Sequence, residues 1–431
     1  MDKRSLHFNG KTLQGILTVP GDKSISHRAI ILGSIAEGTT MVENFLQSED
    51  CMRTIQAFRN LGVNIVQQGQ NLKISSSGMK GLVEPNSPLY FGNSGTTARL
   101  MLGVLGGQTF HTTVYGDESL TNRPMDRVAI PLQRMGVSID GRKNGKYLPF
   151  SVRGGDLQAI HYSLPVKSAQ VKSAILLAAL YANGVTVIRE PVQTRDHTEK
   201  MLQSFGVDIK LNNREITLTP PEKLHSSTIT VPGDISSAAF FIAAAAAIPN
   251  SNVTIKQVGL NHTRSGIIDI LQQMGANLEI DYLDTVNHEP VGDVTVSASS
   301  LRGITIEGDM IPRLIDELPI IALLATQAEG TTIIRDAEEL RVKETDRIQA
   351  VVEGLSSIGA SITATDDGMI IEGKTNLIGG QVKSFHDHRI GMMAAIASFL
   401  TDEAVVVDDL SSIAISYPRF FDDLNQLIKK N

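Results

Sequence analysis

The segment Asp22-Lys23-Ser24-Ile25-Ser26-His27-Arg28 sets two cations, two hydroxyls and a carboxylate at the opening of a long apolar run that ends near Gly38. If that run is a helix, its N-terminus offers unpaired N–H groups and partial positive charge, so a phosphate or carboxylate is favoured there before any side chain contributes. Arg28, four residues after Ser24, then stacks one turn above it. The arrangement recurs along the chain. Asn93-Ser94-Gly95-Thr96-Thr97 is a glycine-hydroxyl turn that lets a ligand approach backbone closely, and Lys167-Ser168-Ala169-Gln170-Val171-Lys172 opens a third apolar run. The fourth, Asp234-Ile235-Ser236-Ser237, has capping residues and no cation, and reads as purely structural. The fifth, Asp316-Glu317-Leu318-Pro319, carries an acid in place of a base. The sixth is His386-Asp387-His388-Arg389. Each alone is an ordinary helix cap; their recurrence points to one shared anion site, in which Asp316 serves as a base only if the cations gather around it.

Three further features could carry chemistry. His386-Asp387-His388 has metal-like spacing, but no second cluster of Cys, His or Asp completes a ligand set, so no metal is expected. In Arg341-Val342-Lys343-Glu344-Thr345-Asp346-Arg347 a polar helix is expected, with Lys343 and Arg347 on one face and Glu344 within reach of Arg347; a solvated, salt-bridged face is the commoner use of such a run. Asn122-Arg123-Pro124 reads as a helix entrance with Pro at the first helical position.

The apolar helices that must position these residues follow Ser26, Ser94, Lys167, Asp234, Asp316 and Asp387. Each leads to a β-branched run, at Thr40, Thr113, Thr186, Thr254, Thr332 and Val405, so the repeat is roughly 70 residues, longer than ordinary solenoid periods. More polar helical segments between them end in glycine at Gly62, Gly136, Gly206, Gly275 and Gly359, as expected of C-terminal glycines with positive φ. The sixth copy, from Pro418, has a helix with no glycine and no strand after it, and the N-terminal strand, residues 5 to 19, is expected to supply the missing part. A helix apolar on nearly all faces must be buried on nearly all faces, which favours three per domain. Val19-Pro20-Gly21-Asp22 recurs as Val231-Pro232-Gly233-Asp234, and Pro with Gly punctuates crossings between bodies. One domain is therefore expected over 21–233 and a second from 1–20 plus 234–431.

Composition narrows the class. A chain of 431 residues with 42% hydrophobic and 20% charged residues is ordinary for a two- or three-domain soluble protein. Its single cysteine, Cys51, excludes an internal disulfide framework, the charged start is no secretory signal, and the cytoplasm is expected. The longest apolar stretch, Ala238 to Ile248, is too short to span a bilayer. A net charge of -7 argues against a nucleic-acid surface. Any anion is caught locally, by placed cations.

VPGDKSISHRA, GNSGTTARL, NRPM, KSAQVKSA, LRVKETDRI and DHRIGMM occur in this order across the whole chain, which resembles the EPSP synthase family of enolpyruvyl transferases. The resemblance implies an α/β fold of two similar domains, each of three βαβαββ units with buried parallel helices, and a site in the cleft between them. It implies transfer of the enolpyruvyl group of phosphoenolpyruvate to the 5-hydroxyl of shikimate 3-phosphate, through a tetrahedral intermediate, by a monomer using no metal or organic cofactor. Position by position it implies Lys23 touching both substrates; Ser24, Arg28, Ser168, Ala169, Arg195 and Lys343 on shikimate 3-phosphate; and Gln170 reaching both ligands. Asn93, Gly95, Arg123, Arg347 and Arg389 fall on phosphoenolpyruvate. Asp316 corresponds to the proton acceptor for the hydroxyl, Glu344 to the acid-base group at the methylene carbon, and His388 to a supporting residue. Ile415 stands where many members place a lysine, and Ser168-Ala169-Gln170 replaces Ser-Ser-Gln, both as in the subgroup that tolerates the inhibitor glyphosate, whereas Gly95 keeps the small residue of ordinary inhibitor binding.

Two rival readings fit the residues less well. The sister enzyme that acts on UDP-N-acetylglucosamine relies on a mobile-loop cysteine, whereas Cys51, in EDCMRTIQAF, reads as a buried thiol in a polar helix. A non-catalytic anion-binding repeat protein would not need Asp316 and Glu344 together.

Overall fold

In a computed structural model that describes residues 4–430, the chain divides into two compact units. The first comprises residues up to Pro20, Pro232–Thr285 and the chain from Pro290 onward; the second is Gly21–Val231 with Val286–Glu289. The divisions fall within the repeated Val-Pro-Gly-Asp, two residues earlier at its second copy than the sequence suggested. The short excursion at 286–289 had no sequence signal.

The six apolar helices are present, labelled here α1 (Lys23–Ile35), α2 (Gly95–Gly106), α3 (Ala169–Ala179), α4 (Ile235–Ala247), α5 (Leu318–Ala325) and α6 (His388–Ala397). Every residue of α5 and α6 is buried, as an all-round apolar helix requires. A parallel strand pair needs a long crossover, and the apolar helix provides it: α3 connects His161–Ser163 to its parallel neighbour Thr186–Arg189, and α5 connects Thr305–Ile306 to Gly330–Ile334. An antiparallel hairpin completes the sheet on the second strand, as with Ile209–Asn212 and Glu215–Leu218 beside Thr186–Arg189. The strand Lys11–Leu17, just ahead of α1, pairs with Asn252–Gly259 in the first unit, while Thr228–Thr230, just ahead of α4, pairs with Glu37–Glu43 in the second. Each unit thus takes one strand from the segment leading into the other, which is what the duplicated tetrapeptide serves.

Gly62, Gly136, Gly206, Gly275 and Gly359 all have positive φ, between 84° and 107°. Gly103 has a different purpose: a Cβ there would meet the Ala174 carbonyl oxygen at 2.2 Å, so its absence lets α2 and α3 touch backbone to backbone and draws their N-termini together.

Three local expectations are corrected. The N-terminal segment is two strands, Arg4–Leu6 against Val405–Val407 and Lys11–Leu17, rather than one. The last helix, Phe420–Leu427, is followed by a strand, Ile428–Lys430, paired with Lys11–Leu17. Pro124 is not at a first helical position: the helix there is Asp126–Arg134, with Met125 as N-cap.

Candidate active site

In the second unit three helix mouths meet. Asp22 caps α1, accepting from the Ile25 N–H at 2.9 Å, so Lys23 and Ser24 lie in the first turn of the helix, with the expected Ser26 start one turn further in. Lys23 Nζ donates to Asp50 Oδ2 at 3.1 Å. Arg28 is buried; its Nη1 donates to the Ser24 carbonyl at 2.9 Å, the i,i+4 stacking read from the sequence. Ser94 caps α2 and Ser168 caps α3, each accepting from the N–H three residues on, which places Gly95 and Ala169 at the first helical positions. Gln170 ties these two mouths: its Nε2 donates to Thr96 Oγ1 at 3.1 Å and its Oε1 accepts from Arg99 Nη1 at 2.9 Å. Arg123, also buried, donates to Asn93 Oδ1 and to Ser119 Oγ. Arg195 is half-buried in the loop that leads to the helix His197–Ser204.

A buried hydroxyl chain joins the first two mouths. His27 Nδ1 lies 2.8 Å from Thr54 Oγ1, which is 2.7 Å from Thr97 Oγ1, itself 2.7 Å from Ser94 Oγ. Burial first, and then the charges of Lys23 and Arg28, hold the His27 imidazole well below its ordinary pKa. Burial likewise pushes the Cys51 thiol up to about 12, so it is no nucleophile.

In the first unit the chemistry centres on Arg347. Its Nε donates to Asp387 Oδ2 at 2.8 Å, Nη1 to Asp316 Oδ1 at 3.2 Å and Nη2 to Glu344 Oε2 at 2.7 Å. Burial opposes its charge, but Asp387, Glu344 and Asp316 together overcome that and raise its pKa above the ordinary arginine value. Lys343 Nζ reaches Asp316 Oδ1 at 3.4 Å, and Arg389 Nη2 lies 3.8 Å from Asp316 Oδ2. The cations do gather around Asp316. The solvated-face reading of residues 341–347 fails, because Arg347 is only 1% exposed; nor is this stretch one helix, since a 3-10 turn, Glu338–Val342, precedes the helix Arg347–Ser356, and Lys343 and Glu344 stand in the link. Asp316 is likewise not an N-cap: Glu317 holds that position in α5.

The fourth mouth is not without a cation. Arg264 donates from Nη2 to Asp234 Oδ1 at 3.2 Å and to Ser236 Oγ at 2.5 Å, while Ser236 donates to Glu317. His386 and His388 part company: the first has an exposed side chain, 3.0 Å from Asp409, and the second is buried at the first position of α6. Among the described residues one group of possible metal ligands gathers elsewhere, Asp196, His197 and Glu289, with ligand atoms within 4.8 Å of one another. Lys200 already supplies Asp196 with a cation at 2.6 Å.

Sequence reading missed Arg99, Lys172, Ser173, Thr198 and the role of Asp387. A signal existed for two of them: a lone Arg99 or Lys172 inside an otherwise apolar buried helix is uncommon enough to demand a partner. Thr198 lies in a polar helix with nothing local to mark it.

The family model for EPSP synthase (3-phosphoshikimate 1-carboxyvinyltransferase) matches residues 8–424. The chain is 58% identical over 418 residues to the 3-phosphoshikimate 1-carboxyvinyltransferase of Oceanobacillus iheyensis, with 97% of each chain covered. It is 55% identical over 425 residues to the enzyme of that name from Geobacillus kaustophilus, covering 98% of this chain and 100% of the relative. A solved EPSP synthase from Acinetobacter baumannii superposes with TM-score 0.89 at 44% identity, covering 100% of this chain and 99% of that one. The enolpyruvyl transferase NikO of Streptomyces tendae, at 18% identity and TM-score 0.80 over 99% and 98% of the two chains, shares the fold. With the enolpyruvyl-transferase fold, the dressed helix mouths and this match over nearly its whole length, the chain belongs to the EPSP synthase family.

Proposed function

We propose that the protein transfers the enolpyruvyl group of phosphoenolpyruvate to the 5-hydroxyl of shikimate 3-phosphate, releasing phosphate. The observation that carries the residue assignment is the sharing of one buried guanidinium, Arg347, by two partly accessible carboxylates, Asp316 and Glu344. An addition-elimination reaction between two phosphorylated acids needs fixed cations for the phosphates and carboxylates, one group to accept the hydroxyl proton, and one to deliver a proton to carbon. On this reading Asp316 accepts the proton of the 5-hydroxyl as its oxygen bonds to C2 of phosphoenolpyruvate, and Glu344 protonates the methylene carbon. In the second half Glu344 takes a proton back from the new methyl group as the C2–O bond to phosphate breaks and the double bond reforms, and the departing phosphate carries away the proton that Asp316 accepted, so both carboxylates return to their starting state. Arg347 and Arg389 hold phosphoenolpyruvate, and Arg123, Asn93 and Gly95 serve the same ligand; His388 supports them from the first turn of α6. Lys23 and Gln170 serve both substrates. Ser24, Arg28, Ser168, Ala169, Arg195 and Lys343 serve shikimate 3-phosphate. We also propose a monomer, as the family resemblance implies.

The rival acceptor, UDP-N-acetylglucosamine, is disfavoured because Cys51 is buried and its thiol held protonated. Among the described residues no helix is long and apolar enough to cross a membrane, and a lone buried thiol suits the reducing cytoplasm we propose. The test is phosphate release from phosphoenolpyruvate with each acceptor in turn. Release with shikimate 3-phosphate alone is expected; release only with UDP-N-acetylglucosamine overturns the assignment.

A further inference from the structure

Arg28 is held by more than its own helix. Its Nε donates to Thr198 Oγ1 at 2.6 Å and its Nη2 to Ser173 Oγ at 2.8 Å, and those two hydroxyls are 2.6 Å apart. A guanidinium is planar and rigid, so two acceptors side by side on its Nε–Nη2 edge, together with the Ser24 carbonyl on Nη1, fix both its plane and its rotation. Ser173 is on α3 and Thr198 on the helix His197–Ser204. What keeps these two helices at the separation the clamp requires is the residue next to each. Lys172 Nζ lies 2.6 Å from Glu199 Oε1, 3.1 Å from Glu190 Oε2 and 3.3 Å from the Thr194 carbonyl, and Lys172, Glu190 and Glu199 are all buried. Consecutive helical residues point about 100° apart, so one neighbour can face Arg28 while the other faces the buried ion cluster.

We infer that Ser173 and Thr198 are positioning residues for Arg28, aiming its guanidinium at the mouth of α1, and that the Lys172–Glu199 pair sets the geometry of this clamp. The inference rests on the assignment of Arg28 to shikimate 3-phosphate. It also gives the α3 segment two tasks: Ser168 to Gln170 face the substrates, and Lys172 and Ser173, one turn on, hold a residue that does so from another helix.

The test compares Arg28→Lys, Thr198→Val, Thr198→Ser and the double variant Arg28→Lys/Thr198→Val by steady-state kinetics with each substrate varied and by calorimetric binding of shikimate 3-phosphate. Valine keeps the shape of threonine and removes the acceptor. Expected for Thr198→Val is a rise of about tenfold in KM and Kd for shikimate 3-phosphate, with kcat and the KM for phosphoenolpyruvate within about twofold. Thr198→Ser restores wild-type behaviour, and the double variant is no worse than Arg28→Lys alone. If Arg28→Lys weakens shikimate 3-phosphate and Thr198→Val does not, the positioning role is overturned and the substrate assignment stands. Should Arg28→Lys leave that affinity intact, the assignment itself goes, and the inference with it. Equal losses for both substrates in Thr198→Val mean a general structural role and also overturn it. Ser173→Ala puts the same question if Thr198→Val does not fold.

Discussion

Lys172→Met gives the strongest test of the buried cluster as a stability element. Methionine is long, unbranched and flexible enough to fill the space, so the substitution isolates charge. It leaves Glu190 and Glu199, 4% and 1% exposed, without their cation and strips an N–H donor from the Thr194 carbonyl. In the native protein burial works against the Lys172 charge, but Glu199 and then Glu190 overcome it and raise its pKa. Breaking a buried pair by removing one partner costs about 3–5 kcal/mol. For a unit of this size each kcal/mol shifts Tm by about 2–4 °C, so a drop of about 6–20 °C is expected. The pH dependence has a definite sign. Burial already holds the Glu199 carboxyl above its ordinary value in the native protein, with Lys172 opposing the rise; without that cation it rises further, so the loss accrues as pH climbs from the unfolded value of about 4.3 through the folded one and is smallest in acid. Thermal melts of K172M and wild type, followed by circular dichroism between about pH 5 and pH 8, therefore diverge with rising pH. Adding Glu190→Gln and Glu199→Leu to Lys172→Met recovers most of the loss, because an uncharged replacement of the whole cluster leaves no orphaned charge. A Tm within about 2 °C of wild type near pH 8, or a deficit that does not change with pH, refutes this account of the cluster.

Three further outcomes follow from the site. Asp316→Asn and Glu344→Gln keep the shape of each side chain and remove its ability to take a proton; each lowers kcat by about 10²–10⁴ with KM changed only a few-fold, and near-normal phosphate release in either removes that residue from the mechanism. Gly95→Ala puts a Cβ at 2.6 Å from Arg99 Nη1 and 3.4 Å from Arg123 Nη1. Arg99 must then leave Gln170, and the KM for phosphoenolpyruvate rises by about tenfold; an unchanged KM shows that Arg99 moves aside at no cost to the site. The ring of His27, whose folded pKa is depressed by burial and by Lys23 and Arg28, stays neutral across neutral pH, so this group's contribution to stability is lost as pH falls below the unfolded value of about 6.5. Ring resonances of His27 followed by NMR give the check, and a midpoint near 6.5 contradicts it.

The repeat was legible because it is written in burial and in turn stereochemistry, both local properties. An apolar run such as LPIIALLA can exist only inside a protein, and Gly62 or Gly359 records a positive φ in its own identity. Helix mouths were legible for the same reason, since Asp22, Ser94, Ser168, Asp234 and Asp387 each cap a helix through a hydrogen bond to a nearby residue. Contacts between distant residues were not. Nothing near Arg264 announces that it reaches Ser236, and nothing near Thr198 announces Arg28. The stretch from Lys343 to Arg347 misled because charges spaced three and four apart look like a solvated helix face; what decides otherwise is Asp387, 40 residues away, which takes two of the guanidinium nitrogens.

That role of Asp387 separates the carboxylates around Arg347 by what each can do. Its side chain has no exposed surface, and it accepts from Arg347 Nε and Nη2 as well as from the backbone N–H of Arg389 at the start of α6. A group so enclosed and so fully committed fixes the guanidinium in place and aligns α6 with it. Asp316 and Glu344 touch the same guanidinium with side chains 13% and 27% exposed. They are the two that a substrate can reach. Fixed positive charge must be in place before charge develops in the transition state, because then no reorganisation is needed at the moment of reaction. One fully buried carboxylate thus holds Arg347 in place and leaves the other two accessible, as the acid-base roles proposed for them require.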